Sequence, residues 1–225
     1  RNWLKYMCHP ILNMHVIIEG KPHDKPALYV CNHRSFADPL AILPYLDAYV
    51  IAKAEVASYP IINKGAELTG VLYVKREDSQ SRNAVRDKMV KTIEQGYNVL
   101  VFPEGTVSFH SFPMPFRAGS FNEAARAKIG IVPMSIEFKD KRDLWLFPHF
   151  LKQYLVSYAK WKTEVKVTFG QIMYDEDGDK LRNNAQNWVT STMEAQRRNW
   201  SLVDFSELDQ KAPYSQALQP KMGKE

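Results

Sequence analysis

The chain has 225 residues, of which 45% are hydrophobic and 24% charged. That is ordinary globular usage with enough length for one shared core, and it excludes disorder throughout, collagen-like repeats and low-complexity architectures. Lys plus Arg (30) exceed Asp plus Glu (25), giving +5, a mild excess compatible with nucleic acid, an anionic membrane or a phosphorylated ligand, and selecting none of them.

Two cysteines, Cys8 and Cys31, rule out a disulfide-scaffolded secreted module and fit a reducing, cytosolic setting. No run of about 18 apolar residues occurs, so no segment reads as spanning a bilayer on its own. The first residue is Arg1, not Met, and no secretory signal follows, which leaves room for an N-terminal anchor ahead of the chain.

Residues 1–26 mix apolar and polar groups, contain the turn-rich Gly20-Lys21-Pro22, and are read as an N-terminal membrane-proximal segment. Short apolar runs then follow at Ala27–Cys31, Ala48–Ala52, Val71–Val74, Asn98–Phe102, Ile129–Ile136 and Val165–Phe169. Each is rich in Val, Ile, Leu or aromatics and bounded by Gly, Pro, Asn or charge, the pattern of strands. Between them lie helical patterns. Val85, Met89 and Ile93 recur on one face, with Gly96 where a C-terminal cap belongs. Phe121, Ala124, Ala125 and Lys128 continue a second helix ending by Gly130, and Trp188, Val189 and Met193 mark a third. The alternation predicts an α/β fold, one domain over residues 27–203 with a mostly parallel central sheet flanked by helices. From residue 204 to 225 periodicity fades, and a polar, loosely held C-terminal tail is expected.

Charge is concentrated between Lys139 and Lys166, where seven basic residues face three acidic ones, a local excess of four. Trp145, Phe147, Phe150, Tyr154, Tyr158 and Trp161 share the segment. Rings beside cations suit a membrane–water interface; core aromatics on strands with a solvated basic face are the alternative. Nucleic-acid binding through this segment lacks any recognised module.

The most informative stretch is Val30-Cys31-Asn32-His33-Arg34-Ser35-Phe36-Ala37-Asp38-Pro39. His33 follows a buried-looking strand, and Asp38 before Pro39 reads as a helix N-cap followed by the first helical position. A carboxylate on one imidazole nitrogen fixes the tautomer and leaves the other nitrogen to accept a proton, the base-and-orienter half of a triad. No Gly-x-Ser-x-Gly elbow occurs, Ser35 lies inside the loop, and Cys31 ends an apolar strand. The nucleophile is then a substrate hydroxyl; the bland alternative is a surface His beside a helix cap. A second strand end carries Phe102-Pro103-Glu104-Gly105-Thr106, where parallel sheets place ligands and where backbone N–H groups near a glycine can hold an oxyanion. Lys75-Arg76 after Val71–Val74, and Arg117, are candidate phosphate contacts, each otherwise a solvated charge. Six histidines without paired spacing indicate no metal site.

Asn32-His33-Arg34-Ser35-x-x-Asp38, Gly70-x-x-Tyr73-Val74-Lys75-Arg76, Phe102-Pro103-Glu104-Gly105-Thr106 and Ile131-Val132-Pro133 together resemble the four ordered blocks of the glycerolipid acyltransferase family, which includes lysophosphatidate acyltransferases. The resemblance implies an acyl thioester donor, on coenzyme A (acyl-CoA) or acyl carrier protein, a lysolipid acceptor such as 1-acylglycerol-3-phosphate, and no bound cofactor. It makes His33 the general base and Asp38 its partner. Arg76, Glu104, Gly105 and Thr106 shape the acceptor pocket by the same carry-over, and Pro133 closes its back wall. Lipid substrates imply peripheral contact with the cytoplasmic face of a membrane. Val107 stands where many family members carry Arg, which shifts phosphate recognition towards Lys75, Arg76 and Arg117. The Glu104–Ser108 pattern is also similar to that of lyso-ornithine lipid acyltransferases, making a lyso-amino-lipid a competing acceptor.

Overall fold

The computed structural model describes residues 12–54, 70–75, 78–146 and 150–211. Seven strands form one sheet: β1 Met14–Glu19, β2 Leu28–Cys31, β3 Ala48–Lys53, β4 Val71–Val74, β5 Asn98–Val101, β6 Ile131–Phe138 and β7 Thr163–Phe169. Six described helices accompany them: α1 Asp38–Ile42, α2 Ser79–Glu94, α3 Gly119–Arg126, α4 Phe150–Tyr158, α5 Gly178–Arg197 and α6 Phe205–Lys211. The strand order is β1-β7-β6-β2-β5-β3-β4. The run β6-β2-β5-β3-β4 is parallel throughout. β7 lies antiparallel to β6 and parallel to β1, so these two strands run the opposite way. The expected mostly parallel α/β sheet is therefore present.

Side-chain alternation sorts the core. On β2, Tyr29 and Cys31 enter one cluster with Ile42, Leu100, Val132, Met134 and Val167. Leu28 and Val30 enter the other, with Met89, Phe121, Ala185 and Val189 from the helices. All four β2 residues are buried, as a central parallel strand covered on both faces requires. Truncating such a side chain to Ala costs roughly 2–5 kcal/mol, so β2 is a rigid base for the loop it feeds.

Two segments differ from the sequence reading. Residues 14–19, within the stretch read as membrane-proximal, form edge strand β1, whose buried Met14 aligns with Thr163 of β7. Its exposed positions are His15, Ile17 and Glu19, and the isoleucine among them blurs the apolar–polar alternation that marks a strand. Residues 205–211, expected in a loose tail, form α6, with Leu208 buried in the core. The aromatic, basic stretch after Lys139 is helical in part: Gln153 and Ser157 of α4 both bind the carbonyl of Arg142, and Lys160 is ion-paired with buried Asp143.

The reversed strands decide which groups share one edge of the sheet. β2, β5 and β6 end there, while β7 and β1 begin there. Trp161, just before β7, and Leu202, whose N–H donates to the carbonyl of Lys139, are 90% and 72% exposed on that edge.

Candidate active site

β2 ends at Cys31, and Asn32 anchors the loop that follows by exchanging two hydrogen bonds with the backbone of Ile136 on β6, both 2.8 Å. The loop then turns into α1, whose first helical residue is Asp38; Ala37 is the cap, and no side chain caps the helix. Asp38 thus sits one position inside the helix, not at its N-cap as expected, because its carboxylate is engaged backwards along its own loop. Oδ2 of Asp38 accepts from His33 Nδ1 at 2.7 Å, from the N–H of Arg34 at 2.7 Å and from that of Ser35 at 3.1 Å. Its side chain is fully buried, while that of His33 is 15% exposed. Three donors thus converge on one oxygen. That carboxylate holds His33 as the Nδ1–H tautomer, and Nε2 has no hydrogen-bond partner among the described residues.

The imidazole is also packed. Phe102, the residue after β5, stacks on it with centroids 4.2 Å apart and planes 20° from parallel, and Phe36 meets it edge-on at 6.2 Å. Phe36 in turn contacts Trp145 at 4.4 Å, and the N–H of Trp145 donates to the carbonyl of Arg34. Neither Phe102 nor Trp145 was assigned to the site from sequence; the only signal was an aromatic directly before Pro103-Glu104.

Glu104 joins this loop to another. Its Oε1 accepts from the N–H of His33 and its Oε2 from that of Met114, each at 2.6 Å, and the residue is buried. It therefore clamps two loops together. Burial pushes its carboxyl up to about 8, against the two N–H donors that pull it down. A second staple, Ser108 N–H to the carbonyl of His33 at 2.8 Å, holds the other side of the base.

Gly105 has φ +77°, and a Cβ there would lie 2.7 Å from Nε and 2.8 Å from Cζ of Arg117. The missing side chain is what lets the Arg117 guanidinium lie against the catalytic loop. The N–H of Gly105 donates to the carbonyl of Phe102. The next N–H groups, of Thr106 and Val107, have no hydrogen-bond partner among the described residues.

The remaining expected residues are dispersed. Lys75 is exposed just past β4, its N–H held by Ser81 of α2 at 3.0 Å. Arg76 lies outside the described residues. Pro133 lies within β6 opposite Val30. There its ring crowds Gly170 together with Trp188 of α5. This places it in the sheet's packing on the α5 side.

Alternative nucleophiles fail on geometry. Cys31 is fully buried and its thiol is pushed well up by burial first, then by the nearby Asp38 and Glu104 charges. Ser35 is buried, and its Oγ accepts from the N–H of Ala37. No group of three or more His, Cys, Asp or Glu side chains suited to a metal occurs among the described residues. Among the described residues, the carboxylate on Nδ1 and the unpartnered Nε2 of His33 are the arrangement a general base and its orienter require.

Comparison with known proteins gives a family and a fold. The Acyltransferase family model matches residues 14–137. A chloroplastic 1-acyl-sn-glycerol-3-phosphate acyltransferase of Brassica napus is 28% identical over 171 residues, 76% of this chain and 47% of that protein. The lyso-ornithine lipid O-acyltransferase of Pseudomonas aeruginosa is 29% identical over 143 residues, 62% of this chain and 53% of that protein. The chain thus spans about half the length of these relatives. Among solved structures, the 1-acyl-sn-glycerophosphate acyltransferase PlsC of Thermotoga maritima superposes with a TM-score of 0.63 at 22% identity. The match covers 84% of this chain and 75% of that one, a shared fold.

Proposed function

The chain belongs to the acyltransferase family, and from that premise we propose that it moves a fatty acyl group from an acyl thioester to the hydroxyl of 1-acylglycerol-3-phosphate, giving phosphatidate. The observation that carries the reading is the 2.7 Å contact of His33 Nδ1 with buried Asp38, with Nε2 left without a partner. Nε2 takes the proton of the acceptor hydroxyl as its oxygen attacks the thioester carbonyl, and Asp38 stabilises the resulting imidazolium. The N–H groups of Thr106 and Val107 are the candidate donors to the oxyanion. As the tetrahedral intermediate collapses the C–S bond breaks, and His33 returns its proton to the departing thiolate. The donor thiol is that of coenzyme A or of acyl carrier protein; the net positive charge suits either acidic carrier.

The acceptor's phosphate is assigned to Arg117, seated over Gly105, with Lys75 and Arg76. A lyso-amino-lipid acceptor is the second reading, favoured by Val107 and by likeness to the Pseudomonas enzyme. Because the substrates are lipids, the catalytic edge is assigned to a membrane surface. No helix among the described residues is long and apolar enough to cross a membrane. Exposed Trp161 and Leu202, the local basic excess and 60%-exposed Leu155 on α4 support peripheral docking on the cytoplasmic leaflet.

The test is thiol release from a labelled acyl thioester with lysophosphatidate, other lysophospholipids and lyso-ornithine lipid as acceptors. His33→Ala is expected to lower turnover by at least about 10²- to 10⁴-fold with the fold retained. Near-wild-type transfer by that variant removes the mechanism, and donor cleavage that never depends on an acceptor removes the transferase reading.

A further inference from the structure

The residue after the base, Arg34, is 1% exposed, an unusual place for a guanidinium. Its Nη2 donates to Glu137 Oε2 at 2.8 Å, and its Nη1 donates to the carbonyls of Ser108 and His110, at 3.1 and 2.5 Å. Arg197, in the last turn of α5, donates through Nε to the same Glu137 oxygen at 2.8 Å. Two cations thus share one carboxylate, and Nε of Arg34 and Nη2 of Arg197 are buried without a hydrogen-bond partner. An uncompensated buried charge is expensive. What faces it is the ring of Phe205 at the start of α6, 4.1 Å from Cζ of Arg197 and 5.4 Å from that of Arg34. The negative face of an aromatic ring attracts a desolvated guanidinium. α6 grips the same region a second time: Asp209 accepts from the N–H of Ser111 at 3.0 Å and faces His110 Nδ1 at 3.3 Å.

We infer that α6 is a positioning brace for the catalytic pair, with Phe205 the positioning residue that acts through Arg34. The route is short. The N–H of Arg34 donates to the same Asp38 oxygen that holds His33, and the side chain of Arg34 holds the carbonyl of Ser108, whose own N–H binds the carbonyl of His33. Shifting the guanidinium therefore loosens both supports of the imidazole. α6 lies beyond residues 14–137, the stretch matched by the family model, so this brace belongs to a part of the chain outside the motif blocks.

This inference rests on the acyl-transfer reading for its kinetic arm, while a spectroscopic arm tests it separately. Phe205 is part-buried, and Phe205→Leu keeps an apolar group without the ring face. In Phe205→Leu the turnover of acyl-CoA with lysophosphatidate should fall about tenfold, with both KM values within about twofold, the signature of a misplaced catalytic group. The downfield proton line of the His33 Nδ1–H to Asp38 bond, identified by its absence in His33→Ala, should broaden or vanish. Phe205→Tyr, which keeps the ring face, should retain both. Asp209→Ala, which releases the second grip from a partly exposed position, should move both readouts in the same direction as Phe205→Leu. The inference is overturned if Phe205→Leu keeps wild-type turnover, if it loses turnover while the line stays in place, or if Phe205→Tyr is as impaired as Phe205→Leu. A wild-type protein with no transfer activity but with the line behaving as described would sink the functional reading and leave the brace standing.

Discussion

Asp38→Asn isolates the electrostatic part of the mechanism, because the geometry around this side chain is lopsided. Oδ2 receives three hydrogen bonds, whereas Oδ1 is buried with none. An asparagine can place its carbonyl oxygen where Oδ2 stands and its amide nitrogen where Oδ1 stands, keeping all three donors satisfied. The charge is then removed with the tautomer and the loop preserved. Two unit charges about 4 Å apart attract by about 4 kcal/mol at an effective dielectric near 20, equal to about three decades in rate. His33 is 15% exposed, and solvent trims that attraction, so kcat is expected to fall about 10²- to 10³-fold with KM nearly unchanged. Single-turnover transfer from a radiolabelled acyl thioester measures it, with thermal unfolding as the control for fold. A variant that folds normally and loses less than about fivefold would show that Asp38 does not stabilise the imidazolium.

Three further outcomes are expected. Glu104, ordinarily ionising near 4.5, is pushed up to about 8 by burial, so between those values the folded chain holds a proton that the unfolded chain has released. Its contribution to stability is complete below about pH 4.5 and declines as pH rises to 8, by up to about 1.4 kcal/mol per unit. Urea titrations at pH 5 to 8 should show a shallower decline in Glu104→Gln, and identical slopes would refute the assignment. Gly105→Ala sets a methyl 2.7 Å from Arg117 Nε at a left-handed φ, a strain of about 1–2 kcal/mol; steady-state kinetics should show acceptor KM rising about tenfold and donor KM holding. Trp161→Ser should lower affinity for anionic vesicles about tenfold in flotation, by loss of apolar burial, while turnover of a dispersed short-chain acceptor stays at the wild-type value.

The strands that carry the site were legible because β2 and β5 are buried on both faces and read as unbroken apolar runs. His33 and Asp38 were legible as a pair because a strand end and an Asp-Pro helix start bracket five residues. What escaped was whatever depends on partners distant in sequence. Glu104 looks like a ligand residue in a loop, and only the approach of Met114 and His33 turns it into a clamp. Arg34 looks solvated until Glu137, 103 residues away, and Phe205 close around it. The local turn that ties the Gly105 N–H to Phe102 also escaped, because it depends on the backbone path after β5. β1 escaped because its exposed face carries Ile17 between His15 and Glu19, and α6 because Phe205 and Leu208 are its apolar residues among otherwise polar ones.

A carboxyl group that grips two loops at once also couples their movements. With His33 and Met114 tied to opposite oxygens of one side chain, neither flank can swing aside by itself. Any displacement of the His33 loop therefore carries the Met114 loop with it.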